Sequence, residues 1–113
     1  MQYEMNVIPE SFNNIQNGFK TIEVRLNDDK RQKLKKGDKI VFYKLPETIE
    51  STIVDVKEIT YFDNFHQLYS SYDAKCFGFE EISVEKLCEK SYEFYSKEQE
   101  KTHGVVAIKI KLL

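Results

Sequence analysis

The chain has 113 residues, enough for one domain with a single modest core and too few for two. Eight Phe and seven Tyr within a 41% apolar composition belong to a globular protein and exclude a disordered one. Net charge is only −2, so any contact with nucleic acid must rest on local clusters of charge, and no apolar run approaches the ~18 residues of a membrane span.

Residues 3–8 read as a first strand, and Pro9 suits the first position of a helix, where its missing N–H costs nothing. Phe12 and Ile15 share one face of that helix, and Gly18 is placed to end it in a left-handed conformation. From Thr21 the period changes to two. Ile22, Val24 and Leu26 fall on one face and Thr21, Glu23, Arg25 and Asn27 on the other. Asn27 or Asp28 can cap a short helix reaching Leu34, and Gly37-Asp38 turns the chain into the strand KIVFYKL, which Pro46 closes. A strand rich in β-branched residues follows over about 51–59.

Phe62, Phe65, Leu68, Tyr69 and Tyr72 then recur at helical spacing, which predicts a helix whose aromatics pack into the core. DAKCFGFEE reads as a loop. Ser83 caps the next helix, with Ile82 and Leu87 as a hydrophobic staple; its inner stripe runs Val84, Leu87, Cys88, Ser91 and then Phe94 or Tyr95. Ser96 with Gln99 makes a capping-box pattern for a last polar helix ending at Gly104. The chain closes on VVAIKIKLL, where Val106, Ile108 and Ile110 alternate with Ala107, Lys109 and Lys111.

Five strands interleaved with three or four short helices, without regular βαβ spacing, predict an α+β domain over residues 1–113. Strands this short most easily close into a small, partly open β-barrel with helices over its ends, and the two terminal strands could lie side by side in it.

The opening MQYEMNVIPE lacks a basic-then-apolar leader, which points to a cytoplasmic location. Cys76 and Cys88 are too few and too far apart for a zinc framework or a redox pair, and both read as free thiols. His66 and His103 have no Asp or Cys at ligand spacing, and the chain carries no Gly-rich phosphate loop. The expectation is no metal and no cofactor.

Charge is unevenly spread. Lys30, Arg31, Lys33, Lys35, Lys36 and Lys39 fall within ten positions, whereas Glu80, Glu81, Glu85, Glu89 and Glu93 mark an acidic later segment. Glu23 and Arg25 share a strand face, roughly 6.6 Å apart at the ~3.3 Å rise per residue. That spacing permits either an exposed salt bridge worth about 0–1 kcal/mol or a joint grip on one ligand. By strict alternation Lys20 shares the apolar phase of Ile22 and Val24, where a bare ammonium is costly. Either the pleat begins after Lys20, or Lys20 is partly enclosed and a candidate base or proton donor.

The pattern Gly18-x-Lys20-Thr21-Ile22-Glu23-x-Arg25, with LKKGDKIVF downstream and a closing GVVAIKI strand, resembles the ASCH domain family, small barrels related to PUA domains. The resemblance implies a PUA-like barrel whose cleft, lined by Lys20, Glu23 and Arg25, binds RNA or a nucleotide. Lys30 to Lys39 would add phosphate attraction. One branch of the family hydrolyses N4-acetylcytidine, and similarity to it implies catalytic roles for Lys20 and for Glu80, with Glu81 as second choice. Position 23 departs from that branch, since Glu23 stands where it has threonine; Glu23 could activate a water but cannot replace a hydroxyl nucleophile.

Three functions follow: an RNA- or nucleotide-binding module, an amidohydrolase acting on an acylated nucleoside, and a ribonuclease. No membrane partner is expected, and oligomeric state is not legible in the chain. A shared site would require the loop CFGFEE to fold over the cleft, with Phe77 or Phe79 walling it and Glu80 or Glu81 facing Lys20.

Overall fold

Met5 and Val7 alternate with exposed Glu4 and Asn6, and this period of two makes the first strand, β1 (Gln2–Val7). The computed structural model describes residues 1–113. Pro9 opens α1 (Pro9–Gln16), which buries Phe12 and Ile15, and Gly18 follows at φ +78°, a backbone angle that any side chain would strain. Then come β2 (Ile22–Leu26), a single helical turn α2 (Asp29–Gln32) capped by the Asp28 carboxylate, β3 (Lys39–Lys44) and the long β4 (Ser51–Phe62). The second half holds α3 (Phe65–Ser70), one 3-10 turn (Ala74–Cys76), α4 (Val84–Tyr92), α5 (Lys97–His103) and β5 (Val105–Leu112). The domain is therefore α+β, with five strands and five short helices.

The strands form one mixed sheet in the order β1-β3-β4-β5-β2, curved into a half-barrel. β1 runs parallel to β3, and the other neighbours are antiparallel. The terminal strands are not side by side. β1 lies at one edge of the sheet, while β5 is interior, between β4 and β2.

One modest core was the expectation, and the sheet in fact separates two. Its concave face carries Met5, Val7, Ile40, Phe42, Val54, Val56, Val106, Ile108 and Ile110, plugged by Phe12 and Ile15 of α1 and by Leu34. On the convex face Ile22, Leu26, Val105 and Ala107 pack under Phe65, Leu68, Tyr69, Phe77 and Leu87 from the helical layer. Helices cover only the first half of β5, so Val105 to Ile108 are all buried while Lys109 and Lys111 reach solvent.

The aromatic run that suggested one long helix divides in two. Tyr61 and Phe62 stay in β4, paired with Val106 and Val105, because strand pairing satisfies backbone groups that a one-turn helical extension would not. Asn64 then caps α3 by accepting from the Gln67 N–H at 2.8 Å. α5 braces this layer: buried Glu100 accepts from the Phe65 N–H at 2.8 Å and from the Tyr92 hydroxyl at 2.8 Å. Tyr92 is consequently pushed up to about 12, by burial and by that carboxylate. The Ser96–Gln99 capping box forms as the sequence indicated. Ser96→Ala should cost about 1 kcal/mol, read as a lower urea midpoint at unchanged slope. No helix is long and apolar enough to cross a membrane.

Because β1 and β2 are the two edges of the sheet, the half-barrel has an open seam between them. Side chains rather than strand pairing bridge it. Arg25 Nη2 donates to the Asn6 carbonyl at 2.8 Å, and Lys30 Nζ donates to the Glu4 carbonyl. Covering a free strand edge with cations also deters pairing with another chain.

Candidate functional site

Glu23 and Arg25 project from β2 on the face of Val106 and Ile108, their partners across the sheet, which is the concave face of the half-barrel. Two charges are thereby placed where apolar residues dominate. Glu23 is only 3% exposed, and a lone carboxylate so buried would be severely penalised. It is not alone.

Lys20 stands before the pleat begins. Its backbone N–H bonds the Asn14 carbonyl at 3.0 Å, and the residue makes an isolated antiparallel bridge with Phe77. Freed from the alternation of β2, the Lys20 ammonium turns to the Glu23 side, 2.8 Å from Oε1. It also donates to Ser11 Oγ of α1 at 3.2 Å. Arg25 grips the other carboxylate oxygen, Oε2, from Nε at 2.9 Å and Nη2 at 2.7 Å. The sequence left open whether Glu23 and Arg25 form an exposed salt bridge or jointly grip a ligand, and whether Lys20 is enclosed. The three form a largely enclosed cluster, with Lys20 and Arg25 side chains 13% and 14% exposed.

Burial alone would raise the Glu23 carboxyl, but the charges of Lys20 and Arg25 and their hydrogen bonds outweigh it and hold the group down at about 2. Burial likewise opposes the Arg25 charge. Glu23 and the Tyr95 hydroxyl more than offset it, so Arg25 lies above the ordinary guanidinium value. The cluster is an ionised carboxylate between two cations. Two of the three Lys20 N–H donors are engaged, leaving one for another acceptor.

This cluster lies against a cleft of about 260 Å³ at the seam. One side is built by Asn6, Val7 and Ile8 from the end of β1, and by Glu10 and Ser11 from the first turn of α1. Opposite lie Phe77 and Phe79 from the loop after the 3-10 turn, with Ser91 of α4 and the residues that follow that helix. Phe77 is held edge-on by Tyr69 and Tyr72, with ring centroids 4.9 and 6.0 Å away. The Tyr69 hydroxyl shares a 2.6 Å hydrogen bond with Ser91 Oγ, and burial pushes the phenol well above its ordinary range.

Lys20, Glu23, Arg25, Phe77 and Phe79 therefore line one cleft. Glu80 and Glu81 do not: both are exposed, neither pairs with a cation, and Lys20 takes its carboxylate from Glu23 instead.

The model of the ASCH domain matches residues 5–113 of the chain. The protein belongs to the ASCH domain family. A hypothetical protein, PH0355, has a crystal structure 33% identical in sequence, with a TM-score of 0.89 and 100% of both chains covered. The solution structure of protein PF0455 from Pyrococcus furiosus is 34% identical, with a TM-score of 0.79, 100% of this chain covered and 98% of that one. An ASCH domain from Lactobacillus crispatus shares the fold at 14% identity and a TM-score of 0.66, covering 98% of this chain and 79% of that one. Among curated proteins, none matches significantly.

Several lining residues of this ASCH domain escape a reading of the sequence. Ser11 comes from a helix turn with no motif of its own, and Lys90, Glu93, Phe94 and Tyr95 come from the end of α4 and just beyond. One signal was available. At helical spacing only one of the adjacent Phe94 and Tyr95 can face the core, so the other must be exposed; it is Phe94, 60% exposed at the cleft.

Proposed function

We propose that this ASCH domain binds RNA or a nucleotide, with one unit of the ligand in the cleft beside Lys20, Glu23 and Arg25. The observation that carries the reading is the ionised Glu23 held between Lys20 and Arg25 in a cavity walled by aromatic rings. Its Oε1 and Oε2 retain lone pairs able to accept from a base amino or ribose hydroxyl, and the remaining Lys20 N–H can donate to a carbonyl or phosphate oxygen. The cavity, about 260 Å³, is slightly under the ~300 Å³ at which drug-sized pockets begin, which favours a single nucleoside over a stacked segment. Lys33, Lys35 and Lys36, exposed and without ion-pair partners, supply attraction for a backbone outside it.

Hydrolysis of an acylated nucleoside has less support. At neutral pH a carboxylate held at about 2 is a weak base toward water, and Glu80 and Glu81, the carboxylates that this reading assigns to proton transfer, are exposed and do not line the cleft.

A labelled single-stranded oligoribonucleotide, titrated by fluorescence anisotropy between 50 and 200 mM salt, tests the binding reading. Affinity should fall with salt at a slope of roughly −0.7 per phosphate contacted. Arg25→Ala should weaken binding roughly 10- to 100-fold, with the fold checked by circular dichroism. No binding at low salt, or full binding by a folded Arg25→Ala variant, would overturn it.

A further inference from the structure

The charges around the cleft decide which part of a nucleotide it can take. Six ionised side chains line it: Lys20, Arg25 and Lys90 against Glu10, Glu23 and Glu93, with no net charge. Phosphate sites are built with an excess of donors and positive charge, since a phosphate carries about −1.5 to −2. A phosphate in this cleft would stand beside the fixed Glu23 carboxylate. Outside the cleft, Lys33, Lys35 and Lys36 after α2 form a run of exposed cations without acidic partners, reached from Arg25 along the seam through Lys30, whereas Lys90 is the one such cation that lines it.

The apolar features complete the contrast. More than half of the lining residues are hydrophobic, ten of nineteen. Phe94, which also lines the cleft, is 60% exposed and takes part in none of the aromatic pairs of the helical layer. Phe79, deeper in the wall, has its ring under the Lys90 ammonium, 5.5 Å from the centroid. An exposed aromatic lining a neutral, mostly apolar cleft with a polar floor matches a flat, uncharged ring with hydrogen-bonding edges.

Resting on the binding reading above, we infer that the cleft accepts the uncharged base of a nucleotide, stacked on Phe94 with its polar edge toward Lys20 and Glu23, and keeps the phosphates outside. The base supplies the affinity of the cleft. The phosphates supply the salt dependence of a longer ligand by tracking toward Lys33, Lys35 and Lys36.

Competition against the labelled oligoribonucleotide separates the parts, using the four ribonucleosides, their 5′-monophosphates, ribose 5-phosphate and inorganic phosphate as probes. At least one ribonucleoside should compete within about threefold of its 5′-monophosphate, and its affinity should be unchanged between 50 and 200 mM salt. Ribose 5-phosphate and inorganic phosphate should fail to compete. Phe94→Ala should weaken the ribonucleoside roughly 5- to 100-fold, the range for one lost stacking partner, and Phe94→Trp should restore it. Since Phe94 is exposed, its truncation leaves the core intact, and an unchanged thermal midpoint verifies this. Competition by inorganic phosphate or ribose 5-phosphate overturns the inference. So does an oligoribonucleotide that binds while no ribonucleoside competes, or a Phe94→Ala variant of undiminished affinity; either result leaves the binding reading standing. An oligoribonucleotide that does not bind at all overturns both.

Discussion

Glu23→Ala should destabilise the domain by about 3–5 kcal/mol at pH 7, a large part of the ~5–15 kcal/mol that holds such a fold together. The cost does not come from an ion pair worth that much in itself. It comes from leaving two cations, each less than one-sixth exposed, without the carboxylate that they enclose. Glu23→Gln keeps the shape and some hydrogen bonding and should cost less. The pH dependence identifies the cause. Glu23 is held at about 2 in the fold, against an ordinary value near 4.5. Its contribution is therefore fully present above about 4.5 and is lost as pH falls toward 2, on the order of 3 kcal/mol in all. Urea unfolding at a series of pH values should show wild type and Glu23→Gln far apart at pH 7 and converging below 4.5. The other acidic groups titrate in both proteins and cancel in the difference. A gap that stays constant with pH would mean that Glu23 acts through packing rather than charge.

The period-two pattern of β2 placed Glu23 and Arg25 on one face correctly, yet by itself it left open whether that face meets solvent or a ligand. Both faces of a strand are covered when the sheet curls around one core and carries a helical layer on the other side, and nothing local to residues 21–27 reports the second layer. The signal lay elsewhere, in β5: Val105 and Ala107 are small and apolar on the phase where Lys109 and Lys111 follow, so only the first half of that strand needed cover. Lys20 was ambiguous for a physical reason as well. Alternation fixes a side chain only within a paired strand, and Lys20 sits one bridge outside it, positioned by Asn14 of the preceding helix and by Phe77 from a distant segment. The caps were legible at Asp28, Ser83 and Ser96 because a cap is an interaction within four residues. The long-range order of strands was not, and the terminal strands ended up apart.

The loop CFGFEE was expected to bring both aromatic and acidic groups to the cleft, and its backbone explains why only the first arrived. Gly78 has φ +93°, and a Cβ there would lie 2.9 Å from Asn14 Nδ2. The chain reverses at this point against α1. The turn leaves Phe77 and Phe79 on the cleft wall and Glu80 and Glu81 in solvent. A residue's neighbour in sequence is a poor guide to its neighbour in space once a left-handed glycine intervenes.

Phe77 joins the fold to the site, and Phe77→Ala is expected to damage both. Its ring is 4% exposed, packed edge-on against Tyr69 and Tyr72, while its backbone bridges Lys20. Removing a ring from such a cluster costs about 3–5 kcal/mol through lost burial and the void left behind. With a urea slope of about 1–3 kcal/mol/M, the midpoint should fall by about 2 M. Phe77→Leu fills most of the space and should lose roughly 1–2 kcal/mol. The effect on the cleft should exceed the effect on stability. Without the ring the loop has no anchor between Tyr69 and Tyr72, the wall facing Lys20 loosens, and ribonucleoside competition should weaken at temperatures where the variant is still folded. Phe77→Leu gives the sharper comparison, because it is stable enough to assay at 10 °C, where its folded fraction is nearly complete. A Phe77→Leu protein that binds like wild type would show that the cleft wall is held by the backbone bridge and the Asn14 bonds alone, and that the ring serves only the core.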